Sequence, residues 1–214
     1  MKHLLAALLF APVALFAAEG GHPLDPAPIE PRDLVSLQSG ARTFVNYCMG
    51  CHGAQYMRYN RLTELGLTES QIRDNLMFSG EKVGETMKVA MAAKDGKAWF
   101  GVPPPDLSVI ARARGADWLY TYLRSFHRDA KSANGWNNWV FPNVAMPHVL
   151  WKVQEQSSVV QYDTTVRDLV NFLVYVGEPS AQSRKSIGIV VLFVLMLLFI
   201  LAYAMKKAFW KDVR

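Results

Sequence analysis

Cys48-Met49-Gly50-Cys51-His52 places two thiols three residues apart and follows them directly with an imidazole. On a helical turn, positions i and i+3 lie on one face, so both sulfur atoms can reach neighbouring vinyl groups of a single porphyrin. His52 then presents a nitrogen to the iron, and the small Gly50 lets the backbone lie close to the macrocycle. This C-x-x-C-H pattern is the attachment signature of a c-type haem. We therefore predict one covalent haem c on Cys48 and Cys51, with His52 as its proximal iron ligand.

A pair of cysteines at this spacing could instead form a thiol–disulfide redox centre or half of a zinc site. Zinc would need further ligands in a similar pairing, and the chain has only two cysteines. A thioredoxin-like centre follows a strand, whereas residues 41–47 look like a helix that runs into a loop. The haem interpretation is therefore favoured over both alternatives.

Near the C-terminus, residues 187–205 are nineteen consecutive residues without a charge. A helix of this length is about 28 Å long, close to the roughly 30 Å of a bilayer's hydrocarbon layer. We predict a transmembrane anchor over residues 184–205. Lys206, Lys207, Lys211 and Arg214 follow it, so the positive-inside rule puts residues 206–214 in the cytoplasm.

The N-terminus supports the same orientation. Residues 1–18 combine a charged start at Lys2 with an apolar run and small residues near its end, which predicts a secretory signal peptide. With a signal peptide and a cytoplasmic C-terminus, the domain of residues 19–183 would face the periplasm of a bacterial inner membrane. An uncleaved N-terminal anchor is the alternative to the signal peptide.

The charge distribution argues against a nucleic-acid partner. The whole chain has a formal charge of +5, but six basic residues and one acidic residue lie within 184–214. Residues 19–183 carry a formal charge of −1, so no basic surface for phosphate is expected.

The pattern of the exported domain predicts a mostly α-helical fold with long loops. Capping residues and apolar periodicity indicate helices, and strand signals are weak and confined to 149–153 and 159–162. The expected helices cover residues 33–48, 68–78, 85–93, 106–112, 116–126 and 163–177, with N-caps at Asp33, Thr68, Asp106 and Asp163.

No motif specifies the ligand on the second face of the iron. Met146 lies in a non-helical loop and is followed by Pro147, whose fixed φ can hold a thioether in place. His127 and His148 remain alternatives and would give bis-histidine ligation. Other methionines fit less well, because they lie beside the attachment motif or on helices: Met49, Met57, Met77, Met87 and Met91.

The order of several motifs resembles the cytochrome c1 family. C-x-x-C-H is followed by Pro104-Pro105-Asp106-Leu107-Ser108, by Ala111-Arg112-Ala113-Arg114-Gly115, by Asn143-Val144-Ala145-Met146-Pro147, and by one C-terminal membrane helix. The resemblance implies that Met146 is the distal ligand. It also implies that Pro104 and Pro105 line the haem pocket and that Arg114 lies near a haem propionate.

In function, the resemblance implies an electron-transfer subunit of ubiquinol–cytochrome c oxidoreductase. Its haem would accept an electron from the Rieske iron–sulfur protein and pass it to a soluble or tethered c-type cytochrome. Its partner in the membrane would be cytochrome b, in a dimeric complex. The chain departs from the family at residues 98–101, at Trp118 where an aromatic hydroxyl is expected, and in lacking an evident acidic docking patch.

Three other functions remain to be weighed. A free-standing, membrane-tethered cytochrome c shuttle needs a long flexible linker, whereas only residues 177–183 precede Arg184. A haem enzyme such as a peroxidase needs an open sixth position on the iron. A thiol oxidoreductase needs free cysteines.

Overall fold

The computed structural model describes residues 22–212, so the expected signal peptide at 1–18 lies outside the described residues. Within that range the chain is mostly α-helical, and its few strands form two small antiparallel pairs. The predicted fold class is confirmed. The elements are α1 (Leu34–Thr43), a π-helical turn (Phe44–Cys48), β1 (Ala54–Arg58), a 3-10 segment (Tyr59–Leu65), α2 (Glu69–Leu76), β2 (Thr86–Met87), α3 (Ala93–Phe100), α4 (Ile110–Arg114), α5 (Ala116–Arg124), β3 (Phe126–Arg128), β4 (Trp136–Asn138), α6 (Trp151–Gln156), α7 (Val159–Gly177) and α8 (Ala181–Phe209).

Helix α1 delivers the C-x-x-C-H motif. As predicted, Asp33 is its N-cap, and the carboxylate accepts the backbone N–H groups of Val35 and Ser36. The helix widens into the π-helical turn that ends at Cys48. The N–H of Cys51 and that of His52 both donate to the carbonyl of Cys48, at 3.0 and 2.8 Å. The two thiols therefore lie on one continuous turn.

Helix α7 is the centre of the core, where α1, α4 and α5 all pack against it. The rings of Phe44 and Phe172 lie 5.7 Å apart across its contact with α1. In the same interface the Ser36 hydroxyl donates to the buried carboxylate of Asp168 at 2.7 Å. Because one helix joins the other three, its position fixes the space that they enclose.

The expected helix at 85–93 is wrong. Met87 pairs instead with Ala54 in the sheet formed by β1 and β2. The helix of this region begins later, at Ala93, and includes Gly96. A Cβ on Gly96 would come within 2.7 Å of the Pro104 ring, so glycine is needed there for a close packing contact rather than for a turn.

Three smaller expectations were also wrong. Asp106 does not cap a helix, since α4 begins at Ile110. Asp163 lies inside α7, which begins at Val159 with Ser158 and Gln161 in a capping box. The weak strand signals at 149–153 and 159–162 fall largely in α6 and α7.

Helix α8 has the properties of a membrane span. Within Ser183–Phe209 the most apolar 18-residue window has a mean hydropathy of 3.0, and none of that window is buried within the chain. Only residues 178–180 separate it from α7. In that junction Glu178 forms ion pairs with Arg112 at 3.5 Å and with Arg184 at 2.6 Å.

Candidate functional site

A single apolar cavity brings together every predicted site residue. Its volume is about 1270 Å³ including the open mouth. Helices α4, α5 and α7 form its walls with the loops that precede α4 and follow β4. The lining includes Cys48, Cys51, His52, Pro104, Pro105, Arg114 and Met146, together with Tyr47, Phe100, Val102, Leu107, Ile110, Trp118, Leu119, Tyr122, Leu123, Phe141, Val144, Ala145, Pro147, Val149, Leu169 and Leu173.

The imidazole of His52 is held by a backbone group. Its Nδ1 lies 2.6 Å from the carbonyl oxygen of Pro105. Because a carbonyl oxygen only accepts hydrogen bonds, Nδ1 must carry the proton, and the lone pair is therefore on Nε2. Burial lowers the pKa of His52, while the bond to Pro105 and the nearby Asp106 carboxylate oppose the shift. A neutral imidazole with a free Nε2 is the form that binds a metal.

The segment after the C-x-x-C-H motif is fastened to the segment after the proline pair. The N–H of Leu107 donates to the carbonyl of Gly53 at 2.7 Å. The Asp106 carboxylate accepts the N–H of Gln55 at 2.9 Å, and the Ser108 hydroxyl accepts that of Tyr56 at 3.0 Å. These bonds explain why the sequence Pro-Pro-Asp-Leu-Ser accompanies the motif: it positions the carbonyl that orients His52.

The loop that carries Met146 is held by asparagine side chains. Asn143 has a φ of 61°, in the left-handed region where asparagine is tolerated better than most residues. Its N–H donates to Asn137 Oδ1 at 2.8 Å, and Asn134 Nδ2 donates to the carbonyl of Ala145 at 2.9 Å. These bonds fix the backbone on both sides of Val144 and leave Met146 on the cavity wall.

The two histidines considered as alternatives to Met146 do not line this cavity. His148 is only 3% exposed and stacks on Phe126, and its Nε2 lies 2.7 Å from Gln154 Oε1. His127 stacks on Trp139 with the ring centres 3.9 Å apart. Each imidazole thus has aromatic and polar partners of its own. The methionines at 49, 57, 77, 87 and 91 are also outside the lining.

Tyr122 is a cavity residue that the sequence did not single out. Its hydroxyl lies 3.4 Å from Met146 Sδ. Tyr122 follows Trp118 by one helical turn, and the two rings stack with centres 4.8 Å apart. The i, i+4 spacing of two aromatic residues was a signal for this shared face, but nothing in the sequence linked that face to Met146.

Arg114 lies at the rim and is the one permanently charged residue in the cavity lining formed by residues 22–212. Its guanidinium carbon lies 5.1 Å from the ring centre of Trp118 and 5.9 Å from that of Phe141. Residues 130–147 contain three aromatic side chains. Phe141 lines the cavity, whereas Trp136 and Trp139 do not. An apolar interior with a cation at its mouth suits a flat apolar ring that bears carboxylates at one edge.

The thiol chemistry argues against a dithiol redox centre. Burial, with a smaller contribution from Cys51, raises the pKa of the Cys48 thiol to about 12. Redox-active cysteine pairs need a lowered pKa, because the thiolate is the reacting species. The set of two thiols, one imidazole and one thioether around an apolar cavity fits a covalently attached haem instead.

Comparison with known proteins gives a consistent result. The family model described as the Cytochrome C1 family matches residues 27–213. The chain is 48% identical over 230 residues to the ammonia monooxygenase gamma subunit of Nitrosomonas europaea, covering 100% of this chain and 98% of that protein. It is 46% identical over 243 residues to the cytochrome c1 of Allochromatium vinosum, covering 100% of both. A more distant relative, the cytochrome c1 of Rhodospirillum rubrum, is 27% identical over 226 residues, covering 85% of this chain and 83% of that protein.

Proposed function

This chain belongs to the cytochrome c1 family, whose members are haem-carrying electron-transfer subunits of bc1-type complexes, and we propose a specific role for it on that basis. In that role this chain would hold one covalent haem c, which would supply one-electron transfer from the Rieske iron–sulfur protein to a soluble or tethered c-type cytochrome. The observation that carries this proposal is the meeting of the C-x-x-C-H motif and Met146 in one apolar cavity.

The chain's own residues have distinct tasks in this proposal. Cys48 and Cys51 would hold the haem by thioether bonds, and His52 Nε2 and Met146 Sδ would bind its iron. A haem held in this way would supply one-electron transfer at a relatively high potential. The apolar walls exclude water and favour the less charged, reduced site.

The remaining predicted residues shape the pocket. Pro104 and Pro105 form part of its wall, and Pro105 also orients His52 through its carbonyl. Arg114 at the rim offsets the negative charge of a propionate. Together these residues fix the potential and the position of the haem, and the protein has no substrate of its own to transform.

The proposed setting is the inner membrane of a bacterium. Residues 19–183 form the periplasmic domain after removal of the signal peptide 1–18, residues 184–205 are the anchor, and 206–214 form the cytoplasmic tail. The exposed apolar length of α8 and the lysines after it support this orientation. The membrane partner is cytochrome b, within a dimeric complex.

Replacing Met146 with leucine tests the proposed ligation. Loss of the thioether should leave the haem attached to Cys48 and Cys51 but lower its potential by roughly 0.1 V or more, within the about 0.8 V range that axial ligands span. The ferric protein should also lose its methionine–iron absorption band. A redox titration followed by absorbance measures both changes.

Met77→Leu is the matched control, because it makes the same chemical change at a methionine outside the cavity lining. It should leave the potential and the band unchanged. An unaltered band in Met146→Leu would rule out Met146 as the ligand and would direct the same experiment to the other methionines, because the band requires a methionine on the iron. A wild-type protein without the band would direct the experiment to His127 and His148.

A further inference from the structure

The hydroxyl of Tyr122 is directed at the sulfur of Met146. The 3.4 Å between Oη and Sδ is the hydrogen bond that this hydroxyl makes within residues 22–212. A thioether sulfur can only accept, so the tyrosine is the donor. Tyr122 is 9% exposed, which leaves little access for water to replace the sulfur as its partner.

The position of this hydroxyl is fixed by packing on both sides of the ring. Trp118 stacks on one face with an interplanar angle of 10°, and Phe126 meets the ring edge-on with centres 5.2 Å apart. Because the ring is confined between two aromatic neighbours, the hydroxyl cannot swing away from the sulfur without disrupting both contacts.

A buried amide links the helix of Tyr122 to the loop of Met146. Asn138 is 1% exposed, and its Nδ2 donates to the carbonyl of Tyr122 at 2.7 Å. Its Oδ1 accepts the N–H groups of Val140 and Phe141, at 2.9 and 3.1 Å, where the loop toward Met146 begins. Donor and acceptor of the O–H···S bond are therefore held in one hydrogen-bonded unit.

From this geometry we propose that Tyr122 is a positioning residue that tunes the distal thioether. The inference rests on the proposed ligation by Met146 and adds to it a residue outside the ligand set. A hydrogen bond to the sulfur withdraws electron density from it and makes it a weaker donor to iron. Ferric iron loses more from this than ferrous iron, so the bond favours the reduced state.

Tyr122→Phe removes the hydroxyl and keeps the ring. At a fixed ambient potential, the ratio of reduced to oxidised haem should fall about threefold. A typical hydrogen bond changes an equilibrium constant by roughly fivefold, and only part of that is expected to differ between the two oxidation states. The methionine–iron absorption band should remain but shift in wavelength. Redox titration and ferric absorption spectra of the full-length, detergent-solubilised protein give both values.

Tyr120→Phe is the matched control on the same helix. Tyr120 is equally buried but lies outside the cavity lining, with its ring against Arg124 at 4.5 Å. This variant should change neither the ratio nor the band. An equal change in both variants would overturn the proposal, because it would reveal a general effect of altering α5.

Repeating the Tyr122 substitution in a protein that lacks the Met146 sulfur shows whether Tyr122 acts through that sulfur. With Met146→His the acceptor is removed, so adding Tyr122→Phe should leave the ratio of reduced to oxidised haem unchanged. The same threefold fall in both backgrounds would overturn the proposal. A wild-type protein without a methionine–iron band would instead refute the ligation itself, whereas a normal band that Tyr122→Phe does not move would refute only this inference.

Discussion

His52 and Arg114 show how single groups set the chemistry of the cavity. One backbone carbonyl, that of Pro105, determines which nitrogen of His52 carries the proton. One guanidinium, at the rim, supplies the positive charge in a lining that is otherwise almost entirely apolar. Both effects come from residues that line the cavity, so they can be tested by changing one side chain at a time.

Arg114→Gln should lower the ratio of reduced to oxidised haem about two- to fivefold at a fixed ambient potential. A positive charge near the ring edge favours the reduced site, because reduction removes one positive charge from the iron. The side chain is exposed, so solvent and salt should screen the effect, which should shrink as ionic strength rises. Redox titrations at low and high salt measure this change.

Arg112→Gln is the control for loss of one positive charge from the same helix. Arg112 pairs with Glu178 and does not line the cavity. It should shift the ratio less than Arg114→Gln, and Arg114→Lys should retain most of the native value. Equal shifts in the two glutamine variants would mean that Arg114 has no particular relation to the haem.

At the residue scale, the sequence identifies site residues that are adjacent in the chain. Covalent attachment requires Cys48, Cys51 and His52 on one turn, so the motif could be recognised directly. Tyr122 could not be recognised, because its contact with Met146 depends on how α5 and a distant loop fold together. Met146 could be ranked ahead of His148 from its loop and the following Pro147, but the alternatives stayed open until the resemblance to a family implied Met146.

At the scale of elements, the packing of α1 against α7 determines the shape of the site. Gly40 lies in that contact and has no room for a side chain. A Cβ there would meet the backbone carbonyl of Asp168 and would lie 2.7 Å from the Cβ of Phe172. Because Leu169 and Leu173 of α7 line the cavity, any separation of the two helices would also change the cavity wall.

Gly40→Ala should therefore reduce the free energy of unfolding by about 3 kcal/mol, at the upper end of the cost of overpacking. Denaturant titration of the haem-loaded protein, followed by the haem absorbance and by circular dichroism, measures this loss. Gly84→Ala is the control, since a Cβ at Gly84 would meet nothing within 4 Å. A loss below about 0.5 kcal/mol at Gly40 would show that the helices do not depend on this close approach.

Two helices with an N-terminal capping signal were predicted correctly, whereas the capping box at Ser158 and Gln161 was missed. Asp33 and the Thr68–Gln71 capping box begin their helices as expected. The segment at 85–93 looked helical, but its backbone pairs with the strand that follows the haem motif. The N–H of Tyr59 donates to the carbonyl of Glu85 at 3.1 Å, a tertiary contact that no local pattern reveals.

At the scale of the whole molecule, the junction between α7 and α8 distinguishes a free cytochrome shuttle from a subunit fixed in a complex. A shuttle needs a flexible tether, whereas this junction has three residues and two ion pairs at Glu178. Exposed ion pairs contribute little energy, but a short connection between two helices limits the reach of the domain in itself. The geometry therefore favours a subunit with a fixed position over a free carrier.

If this chain is a fixed subunit, cytochrome b and the Rieske protein should co-purify with it in equal amounts. The measurement is purification from the native membrane in mild detergent, through a tag on residues 206–214.

Inserting ten Gly/Ser residues after Glu178 would add a linker with a span of about 17 Å. In a fixed subunit this insertion should lower quinol-dependent reduction of the haem at least severalfold. Undiminished reduction, together with a chain that purifies alone, would support the shuttle.

The central claim is that one haem is bonded to the thiols of Cys48 and Cys51, and the most direct test is made on the unfolded polypeptide. After extraction with acidified acetone, its pyridine haemochrome spectrum and intact mass should report one c-type haem per chain and no free thiol. A colourless chain that retains two thiols, or one disulfide, would contradict the account.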